Sequence, residues 1–455
     1  MTAVISRAAP SAAPYPPTRA SCQAALLLGV AVPAPPALAL PVEALRPLLK
    51  PGRSILIRGA SGSGKTTLLN ALARSPEIDQ HFSIVRPERL RDHHGACVSA
   101  FGRAVSLEDA LACLARAGLA DARALAGRTE HLSAGERERL RLARALHACE
   151  SRPAPVALVV DEFGAALDDD TARAVARTLG KRRPANALLV VATNRDIAAA
   201  FAPDHLVTLA PVGSTLQHAR DLEPEPRPTI VPGARDDYLR LARMHHRPRP
   251  PATIDRVLVA RCPRTNQPVG VAVLSLPTLN ARWRAAAWPD LAPPTSRASA
   301  QRLNESLRCI SRVIVHPAWR GAGVATDLVR AALDAAPTPR VEAVAAMGAL
   351  APFFERAGMT AWPIPRRRAD VRLLDLFDHA GVERWRLATP ASALARLREC
   401  VGPALVTREL KRWAQASRAT RAWKHAHDPD LLARAALELM CERRAFTRTR
   451  PGATP

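Results

Sequence analysis

The sequence predicts a mixed α/β protein with two consecutive α/β domains and a basic, helical C-terminal segment. Between residues 24 and 215, short apolar runs alternate with helix-like stretches, which is typical of a mainly parallel sheet. A similar alternation covers residues 229–389, after a linker rich in Glu and Pro over residues 216–228. Residues 390–455 combine helical periodicity with many arginines.

The chain begins with a tail and an apolar stretch that need separate interpretation. Residues 1–23 are rich in Ala, Pro and Ser and predict a disordered tail. The apolar stretch at residues 24–41 superficially resembles a signal peptide, but its four prolines would break a helix. We therefore expect no export from this stretch, and no other apolar run reaches the length of a membrane span.

The first candidate site is a glycine-rich loop between a predicted strand, residues 54–58, and a helix-prone stretch, residues 68–72. The loop matches the pattern G-x-x-x-x-G-K-T in the strand–loop–helix setting that this P-loop pattern requires. Its glycines allow backbone N–H groups to surround phosphates, and the helix N-terminus adds partial positive charge. Lys65 can then reach the β- and γ-phosphates of ATP, and the Thr66 hydroxyl can bind Mg²⁺. The predicted ATP-binding residues of the loop are Gly59, Ser61, Gly62, Ser63, Gly64, Lys65, Thr66 and Thr67.

Two adjacent acids complete this prediction. Asp161 and Glu162 follow a continuous apolar run, residues 156–160, of the kind found in parallel strands buried on both faces. Asp161 is predicted to hold Mg²⁺ together with Thr66, and Glu162 to polarise the attacking water. Glu162 and Lys65 are the predicted catalytic residues. The alternative is that two acids end a strand by chance.

Three further segments resemble motifs of the ABC ATPases. Residues 132–136 read Leu-Ser-Ala-Gly-Glu and precede an arginine-rich helical stretch, as the LSGGQ signature of that family does. Residues 164–168 resemble its D-loop, and residues 188–196 resemble its switch strand. The resemblance implies that Ser133 and Gly135 cap the γ-phosphate held by a second protomer, in a homodimer formed through the ABC domains. It also implies that Asn194 contacts the γ-phosphate.

The same segments allow a structural interpretation and contain departures from the family. Ser133 could serve as a helix N-cap, with Glu136 closing a capping box. Asn194 stands where most members have His, and Asn cannot take a proton near neutral pH. Phe163 replaces a proline, and we find no convincing Q-loop glutamine between Arg86 and Arg103. A transporter ATP-binding subunit remains an alternative. The segment between the P-loop and the signature is short for such a subunit.

The second candidate site lies in the second domain. Residues 309–317 read as a strand and turn, followed by Arg-Gly-Ala-Gly-Val-Ala at residues 320–325 and a helix-prone stretch. This arrangement resembles motif A of the GNAT acetyltransferases, in which backbone amides at a helix N-terminus bind the pyrophosphate of acetyl-CoA. The residues that the resemblance implies for acetyl-CoA binding are Ile314, Val315, Arg320, Gly321, Gly323, Val324 and Ala325.

The catalytic groups of this domain are less defined. Residues 352–359 resemble the FYxxxGF segment of GNAT proteins, but Phe354 stands where many members have a tyrosine general acid. Glu305, Glu342 and either His245 or His246 are candidates for a general base. Each could equally be an ordinary solvated or structural residue. The domain could therefore be a non-catalytic sensor or adaptor rather than an acyltransferase.

The charge of the chain indicates one class of partner. The formal net charge is +24, which favours a polyanion such as RNA or DNA, although an arginine-rich composition can also arise from a GC-rich genome. Trp413 and Trp423 lie among C-terminal arginines, where they could stack on bases or pack internally. The eight cysteines contain no CxxC pair, which favours a reducing cytoplasm. The combined prediction is a cytoplasmic ATPase that uses ATP and Mg²⁺, fused to a domain for acetyl-CoA, with nucleic acid as a candidate acyl acceptor.

Overall fold

The computed structural model describes residues 3–5, 18–27, 41–210, 214–223, 225–245, 250–291, 293–346, 348, 351–440 and 442–450. The chain forms two compact units, Met1–Arg227 with His316–Ala322, and Pro228–Val315 with Gly323–Pro455. Each unit contains one seven-stranded sheet. Among the described residues, no helix is both long and apolar enough to cross a membrane.

The sheet of the first unit has the strand order β1-β7-β6-β2-β5-β4-β3. Its strands are β1 (Ala3–Ile5), β2 (Ser54–Gly59), β3 (Ser83–Val85), β4 (Val156–Val160), β5 (Ala187–Thr193), β6 (His205–Leu209) and β7 (Ser214–His218). The five strands from β6 to β3 are parallel, and β7 and β1 run antiparallel at one edge. Every residue of β4 and β5 is buried, which explains why these strands are continuously apolar rather than alternating.

Helices cover both faces of this sheet. They are α1 (Arg19–Leu27), α2 (Val42–Leu45), α3 (Lys65–Ala73), α4 (Pro76–His81), α5 (Leu107–Arg116), α6 (Ala122–Ala126), α7 (Ala134–Glu150), α8 (Asp169–Lys181) and α9 (Ala198–Phe201). One core contains Leu56 of β2 together with apolar residues of α7 and α8, and the opposite core contains Ile55, Ile57 and residues of α3. The alternation along β2 therefore sends successive side chains into two separate cores.

The sheet of the second unit has the strand order β13-β14-β12-β11-β10-β9-β8. Its strands are β8 (Thr229–Gly233), β9 (Arg256–Arg261), β10 (Pro268–Ser275), β11 (Leu307–Val315), β12 (Arg340–Ala345), β13 (Thr360–Pro363) and β14 (Arg444–Thr449). Only β11 and β12 pair in parallel in the described sheet, and all its other pairs are antiparallel. The helices before the C-terminal segment are α10 (Arg235–Ala242), α11 (Arg284–Ala287), α12 (Arg297–Ser306), α13 (Val324–Ala335) and α14 (Phe353–Arg356).

The C-terminal segment is helical, as predicted, and then returns to the sheet. Its helices are α15 (Arg368–His379), α16 (Pro390–Val401), α17 (Pro403–Gln415), α18 (Arg418–Arg421) and α19 (Asp428–Leu439). Helices α15, α16, α17 and α19 share a core that includes Phe377, Leu410 and Trp413. Strand β14, which the sequence analysis did not predict, inserts between β12 and β13. It does so because Phe446 is fully buried and ring-stacks on Phe354 at 4.8 Å, a contact that local sequence patterns do not reveal.

Two segments predicted to lack regular structure are partly ordered. Within residues 1–23, Ala3–Ile5 pairs with β7 and α1 begins at Arg19, while most of the first 17 residues lie outside the described ones. The short apolar run Ala-Val-Ile suits an added edge strand. Within the predicted linker, β7 extends to His218, and the buried Arg177 guanidinium lies 2.6 Å from the Glu225 carboxylate. This ion pair ties part of the linker to the first unit.

Candidate functional site

The glycine-rich loop of the first unit joins the end of β2 to the start of α3. Gly62 and Gly64 have φ angles of 76° and 90°, which L-residues with side chains rarely adopt, and Gly64 is the N-cap of α3. The Lys65 ammonium donates to the carbonyl oxygens of Gly59 at 2.9 Å and Ala60 at 2.7 Å. Glycine at these positions and the lysine folded across the loop form a compact turn around the helix N-terminus.

The loop has the features of a phosphate cradle. A Cβ atom added at Gly59 would lie 2.4 Å from Ser63 Oγ and 2.8 Å from the carbonyl oxygen of Leu209, so only glycine fits there. The Ser63 hydroxyl is buried and has no hydrogen-bond partner among the described residues. Ser61, Thr66 and Thr67 are exposed at the surface of the loop and the first turn of α3. An orphaned hydroxyl beside a helix N-terminus suits an anionic ligand.

The carboxyl ends of three neighbouring strands bring the other predicted groups to the same edge of the sheet. Strand β5 lies between β2 and β4, and Val191 of β5 is in register with both Leu56 and Val160. Asp161 and Glu162 follow directly after β4, and Asn194 follows directly after β5. Because adjacent strands lie about 4.8 Å apart, corresponding positions of β2 and β4 are about 10 Å apart.

The two acids at this edge differ in conformation. The Asp161 carboxylate accepts a hydrogen bond from the backbone N–H of Glu162 at 3.0 Å, and Asp161 is half-buried. Glu162 is exposed and has a φ of 50°, a left-handed conformation that is strained for a residue with a side chain. The Asp161 carboxylate and the Thr66 hydroxyl are the hard oxygen donors that Mg²⁺ prefers.

The signature segment packs directly on the D-loop segment. The predicted capping box of α7 is confirmed: the Ser133 hydroxyl accepts from the Glu136 N–H, and the Glu136 carboxylate accepts from the Ser133 N–H at 2.9 Å. A Cβ atom added at Gly135 would lie 2.8 Å from the carbonyl oxygen of Ala166. This close approach explains the glycine independently of any ligand.

Sequence reasoning missed two residues that hold the D-loop. The Glu138 carboxylate accepts from the backbone N–H groups of Gly164 at 2.7 Å and Ala166 at 3.0 Å. The Arg195 guanidinium donates to the carbonyl oxygen of Leu167 at 2.5 Å and pairs with Asp169. Their sequence signals were only a second acid near the start of α7 and an arginine next to Asn194.

The second glycine-rich loop repeats the backbone arrangement of the first. Gly321 and Gly323 have φ angles of 77° and 92°, and Gly323 is the N-cap of α13. A Cβ atom added at Gly323 would meet nothing within 4 Å. Ile314 and Val324 are buried, so their side chains belong to the core and only their backbone groups could contact a ligand. Arg320 is exposed, and Val315 and Ala325 are half-buried.

The strands that lead to this loop diverge. The parallel ladder between β11 and β12 runs from Leu307 paired with Arg340 to Ile310 paired with Ala343. Beyond that point β11 continues to Val315 and β12 to Ala345, but no pairing between them occurs in the described residues. The two strands are therefore paired only near their N-terminal ends and separate toward the loop that precedes α13.

The candidate catalytic groups of the second unit are mostly engaged in packing. Glu342 is 2% exposed and receives two hydrogen bonds of 2.8 Å from the Arg284 guanidinium, which is itself fully buried. Burial raises the pKa of Glu342, and the hydrogen bonds and charge of Arg284 oppose that shift. Phe354 is buried against Phe446. The position of Glu342 makes it a structural residue and removes it as a candidate base.

The remaining candidates are also limited. Glu305, at the end of α12, is exposed and accepts from the Gln301 amide at 3.0 Å. His245 is half-buried, and His246 lies outside the described residues. No described tyrosine replaces Phe354, because Tyr238, the only tyrosine within the described ranges, is buried in α10.

Two protein-family models match this chain. Residues 39–191 match the AAA ATPase domain, and residues 220–359 match the acetyltransferase (GNAT) family. The first match contains the P-loop, the signature segment and the acids after β4, and the second contains the motif A segment. Each match therefore coincides with one of the two glycine-rich loops.

Curated relatives match about a third of the chain or less. An ATP-dependent lipid A-core flippase of Polaromonas sp. is 31% identical over 174 residues, covering 32% of this chain and 29% of the relative. The cytochrome c biogenesis ATP-binding export protein CcmA of Hyphomonas neptunium is 37% identical over 134 residues, covering 26% of this chain and 64% of the relative. The chain thus spans less than two thirds of the length of these relatives.

Solved structures match a similar share of the chain. A dimeric ATP-binding cassette in a post-hydrolysis state, bound to ADP and Pi, has a TM-score of 0.29 and 21% identity, covering 38% of this chain and 88% of that chain. A putative metal-chelate type ABC transporter has a TM-score of 0.28 and 18% identity, covering 38% and 74%. From the family matches and the curated relatives, together with the motifs described above, the chain carries a P-loop ATPase domain of the ABC type fused to a domain of the GNAT acetyltransferase family.

Proposed function

We propose that the first unit binds ATP with Mg²⁺ and hydrolyses it. One observation carries this proposal: the P-loop, Asp161 and Asn194 lie at the carboxyl ends of the adjacent strands β2, β4 and β5. The spacing of about 10 Å between β2 and β4 leaves room for phosphate groups between Lys65 and Asp161. Ligands of open parallel sheets bind at this edge.

Each residue then has a definite role. The backbone N–H groups of the loop and the Lys65 ammonium neutralise phosphate charge, and Thr66 and Asp161 hold Mg²⁺, which supplies further charge neutralisation when bound. Glu162 is exposed at this edge and orients and polarises the attacking water. Asn194 donates a hydrogen bond but takes no proton, so Glu162 alone supplies the base.

The complete site is proposed to need two copies of the chain. Ser133 and Gly135, at the N-terminus of α7, would face the γ-phosphate held by a partner protomer in a homodimer. The contacts of Glu138 and Arg195 with the D-loop support this role, because they fix the signature segment and the switch strand to one loop. ATP binding would then change the position of that loop.

For the GNAT domain we propose acetyl-CoA binding and acyl transfer, with nucleic acid as the acceptor and the cytoplasm as the compartment. Support comes from the two left-handed glycines before α13 and from the divergence of β11 and β12. The exposed Arg320 would add a charge for the pyrophosphate. Every predicted acetyl-CoA residue contributes through the backbone, apart from Arg320.

A second candidate function is favoured by a specific observation. Phe354 is buried where an acid is needed, and Glu342 is held by Arg284. The GNAT domain could therefore bind its ligand without transferring the acyl group, as a sensor or adaptor for the ATPase. In that case acetyl-CoA alters ATP turnover but leaves no acylated product.

ATP hydrolysis is tested by measuring phosphate release by the full chain and by Glu162→Gln. The wild type should turn over ATP in the presence of Mg²⁺, and the variant should bind ATP but release phosphate at least about 100-fold more slowly. Glu108→Gln, an exposed acid on α5, is the matched control and should be unaffected. Equal turnover by wild type and Glu162→Gln would refute the proposed role.

Acyl transfer is tested with labelled acetyl-CoA offered to tRNA, DNA and protein, with and without ATP. Label on a nucleic acid supports the transferase, and binding of acetyl-CoA without transfer to any acceptor supports the sensor. If acetyl-CoA neither binds nor transfers, both proposals for the second unit fail, while the ATPase proposal is unaffected.

A further inference from the structure

Helices α15 and α17 of the second unit pack against each other and expose basic side chains. The arginine surface, as we call it, consists of Arg368 and Arg372 on α15 and Arg408, Lys411 and Arg412 on α17. All five are exposed, and the side chains of Arg372, Arg408 and Arg412 retain 55%, 69% and 56% of their accessible area. Their charges are therefore directed to solvent.

A single buried carboxylate organises this surface. Glu409 is 6% exposed and accepts from the Arg372 Nε at 2.7 Å, and Arg408 and Arg412 lie 3.5 Å from its other oxygen. Burial alone would raise the pKa of Glu409, but the hydrogen bond from Arg372 and the surrounding arginines outweigh it and lower that pKa. One negative charge thus fixes three guanidinium groups and neutralises only one of them.

Two other arginines of the helical segment are each neutralised by a carboxylate of their own. Arg384 pairs with Asp378 at 2.5 Å, and Arg396 pairs with Glu399 at 2.6 Å. The arginine surface instead combines five cations with one carboxylate, a local charge of +4. Neither Arg368 nor Lys411 forms an ion pair within the described part of the chain. The patch therefore concentrates several cations around one carboxylate.

A cavity of about 210 Å³ opens within the arginine surface. It is lined by Leu373 and Trp413, by Glu409, and by Arg368, Arg372 and Arg412. Trp413 donates its indole N–H to the Asp370 carboxylate at 2.8 Å, which fixes the position of its ring. A cavity that combines apolar walls with several guanidinium groups suits a phosphate with a flat or sugar group attached to it.

The basic positions form two rows. Arg368 and Arg372, and likewise Arg408 and Arg412, are four residues apart, so each pair spans about 6 Å along its helix. Helix α18 packs on α17, and Trp423 follows it with 39% of its area exposed, close in sequence to the exposed Arg421 and Lys424. Successive cations and an exposed indole on consecutive helical elements match the successive phosphates and bases of one strand better than a lipid surface, which would require a broader apolar face.

We propose that the arginine surface binds the phosphodiester backbone of a single-stranded nucleic acid, with Trp423 stacking on a base. The role of the bound strand, as the acyl acceptor, rests on the proposed function. The binding itself does not, because it requires neither ATP nor acetyl-CoA and can be measured without them. A failure of acyl transfer therefore leaves this inference intact, and a failure of strand binding leaves acyl transfer to other acceptors open.

The test measures binding of the full chain to a labelled 20-nucleotide strand by fluorescence anisotropy at several salt concentrations. The test variant is Arg368→Gln/Arg412→Gln, which keeps the hydrogen bond from Arg372 to Glu409. Its slope of log affinity against log salt should be smaller in magnitude by about 1.4, because each lost contact to a single strand removes about 0.7. Trp423→Ala should weaken binding about tenfold without changing that slope. Circular dichroism checks that both variants are folded.

The matched control is Arg384→Gln/Arg396→Gln, which removes two charges from the same helical segment but outside the arginine surface. Its salt slope should equal that of the wild type. The inference is overturned if the wild type does not bind the strand at 50 mM salt, or if the control lowers the slope as much as the test variant. It is also overturned if the test variant loses binding to phosphatidylserine vesicles but keeps binding to the strand.

Discussion

The two glycine-rich loops of this chain share a backbone and differ in their surroundings. Each follows a strand, contains two glycines with φ between 76° and 92°, and ends in a glycine that caps a helix. The first loop lies at an edge where Lys65, Asp161 and Asn194 meet. The second lies in a domain whose buried acid is held by an arginine and whose expected acid position is a buried phenylalanine.

This difference separates binding from catalysis. A phosphate cradle requires only backbone N–H groups and glycines with suitable φ angles, and both loops have them. Chemistry requires accessible side chains that can move a proton, and in the described part of the chain the exposed Glu162 follows β4, in the same sheet as the strand that leads into the first cradle, as expected of such a group. We therefore expect both loops to bind phosphate-containing ligands, and substitutions of acids to affect them in different ways.

The two loops should differ most when the acid of each domain, Glu162 or Glu342, is replaced. Glu162→Gln should reduce the rate constant of ATP hydrolysis by at least about 100-fold and leave the affinity for ATP within about twofold. The variant removes the base but keeps the phosphate contacts. Single-turnover measurements separate the two quantities, and a loss of affinity instead of rate would mean that Glu162 acts in binding.

Glu342→Gln should affect stability and not chemistry. Because it leaves the charge of Arg284 buried without its partner, the free energy of unfolding should fall by about 3–5 kcal/mol, measured by urea denaturation. The double variant Arg284→Met/Glu342→Leu should recover most of this loss. A stable Glu342→Gln variant with impaired acyl transfer would instead return Glu342 to the role of general base.

A matched pair of glycine substitutions sharpens the comparison of the loops. Gly62 and Gly323 both have positive φ, and a Cβ atom added at either would meet nothing within 4 Å. Alanine at each should therefore cost about 1–2 kcal/mol of backbone strain, equivalent to roughly tenfold in affinity. Isothermal titration should show that Gly62→Ala weakens ATP binding only, and that Gly323→Ala weakens acetyl-CoA binding only.

The smallest effect concerns pH and the helical segment. Burial would raise the pKa of Asp370, but hydrogen bonds from Arg367 and Trp413 outweigh it, so its pKa is lowered from 3.8. A lowered folded-state pKa means that its stabilisation is complete above 3.8 and is lost as the pH falls through the folded-state value. Between pH 5 and pH 2, the free energy of unfolding of Asp370→Asn should fall by about 1 kcal/mol less than that of the wild type. Urea denaturation at each pH measures this difference. An unchanged pH profile would contradict the prediction.

Local patterns in the sequence predicted much of the first unit. The strands β2, β4 and β5 and the capping box of Ser133 and Glu136 agree with the structure, because each depends on neighbouring residues. The missing parts depend on residues far apart in the chain. Strand β14, the pair of Arg284 with Glu342 and the contacts of Glu138 with the D-loop join segments separated by 26 residues or more.

We propose that one chain contains two independent phosphate cradles. The affinities of wild type and Lys65→Ala for MgATP and for acetyl-CoA, measured by isothermal titration in the same buffer, show whether the two cradles are independent. We predict that Lys65→Ala loses measurable MgATP binding and binds acetyl-CoA like the wild type. MgATP affinity that is unchanged in Lys65→Ala would contradict the account.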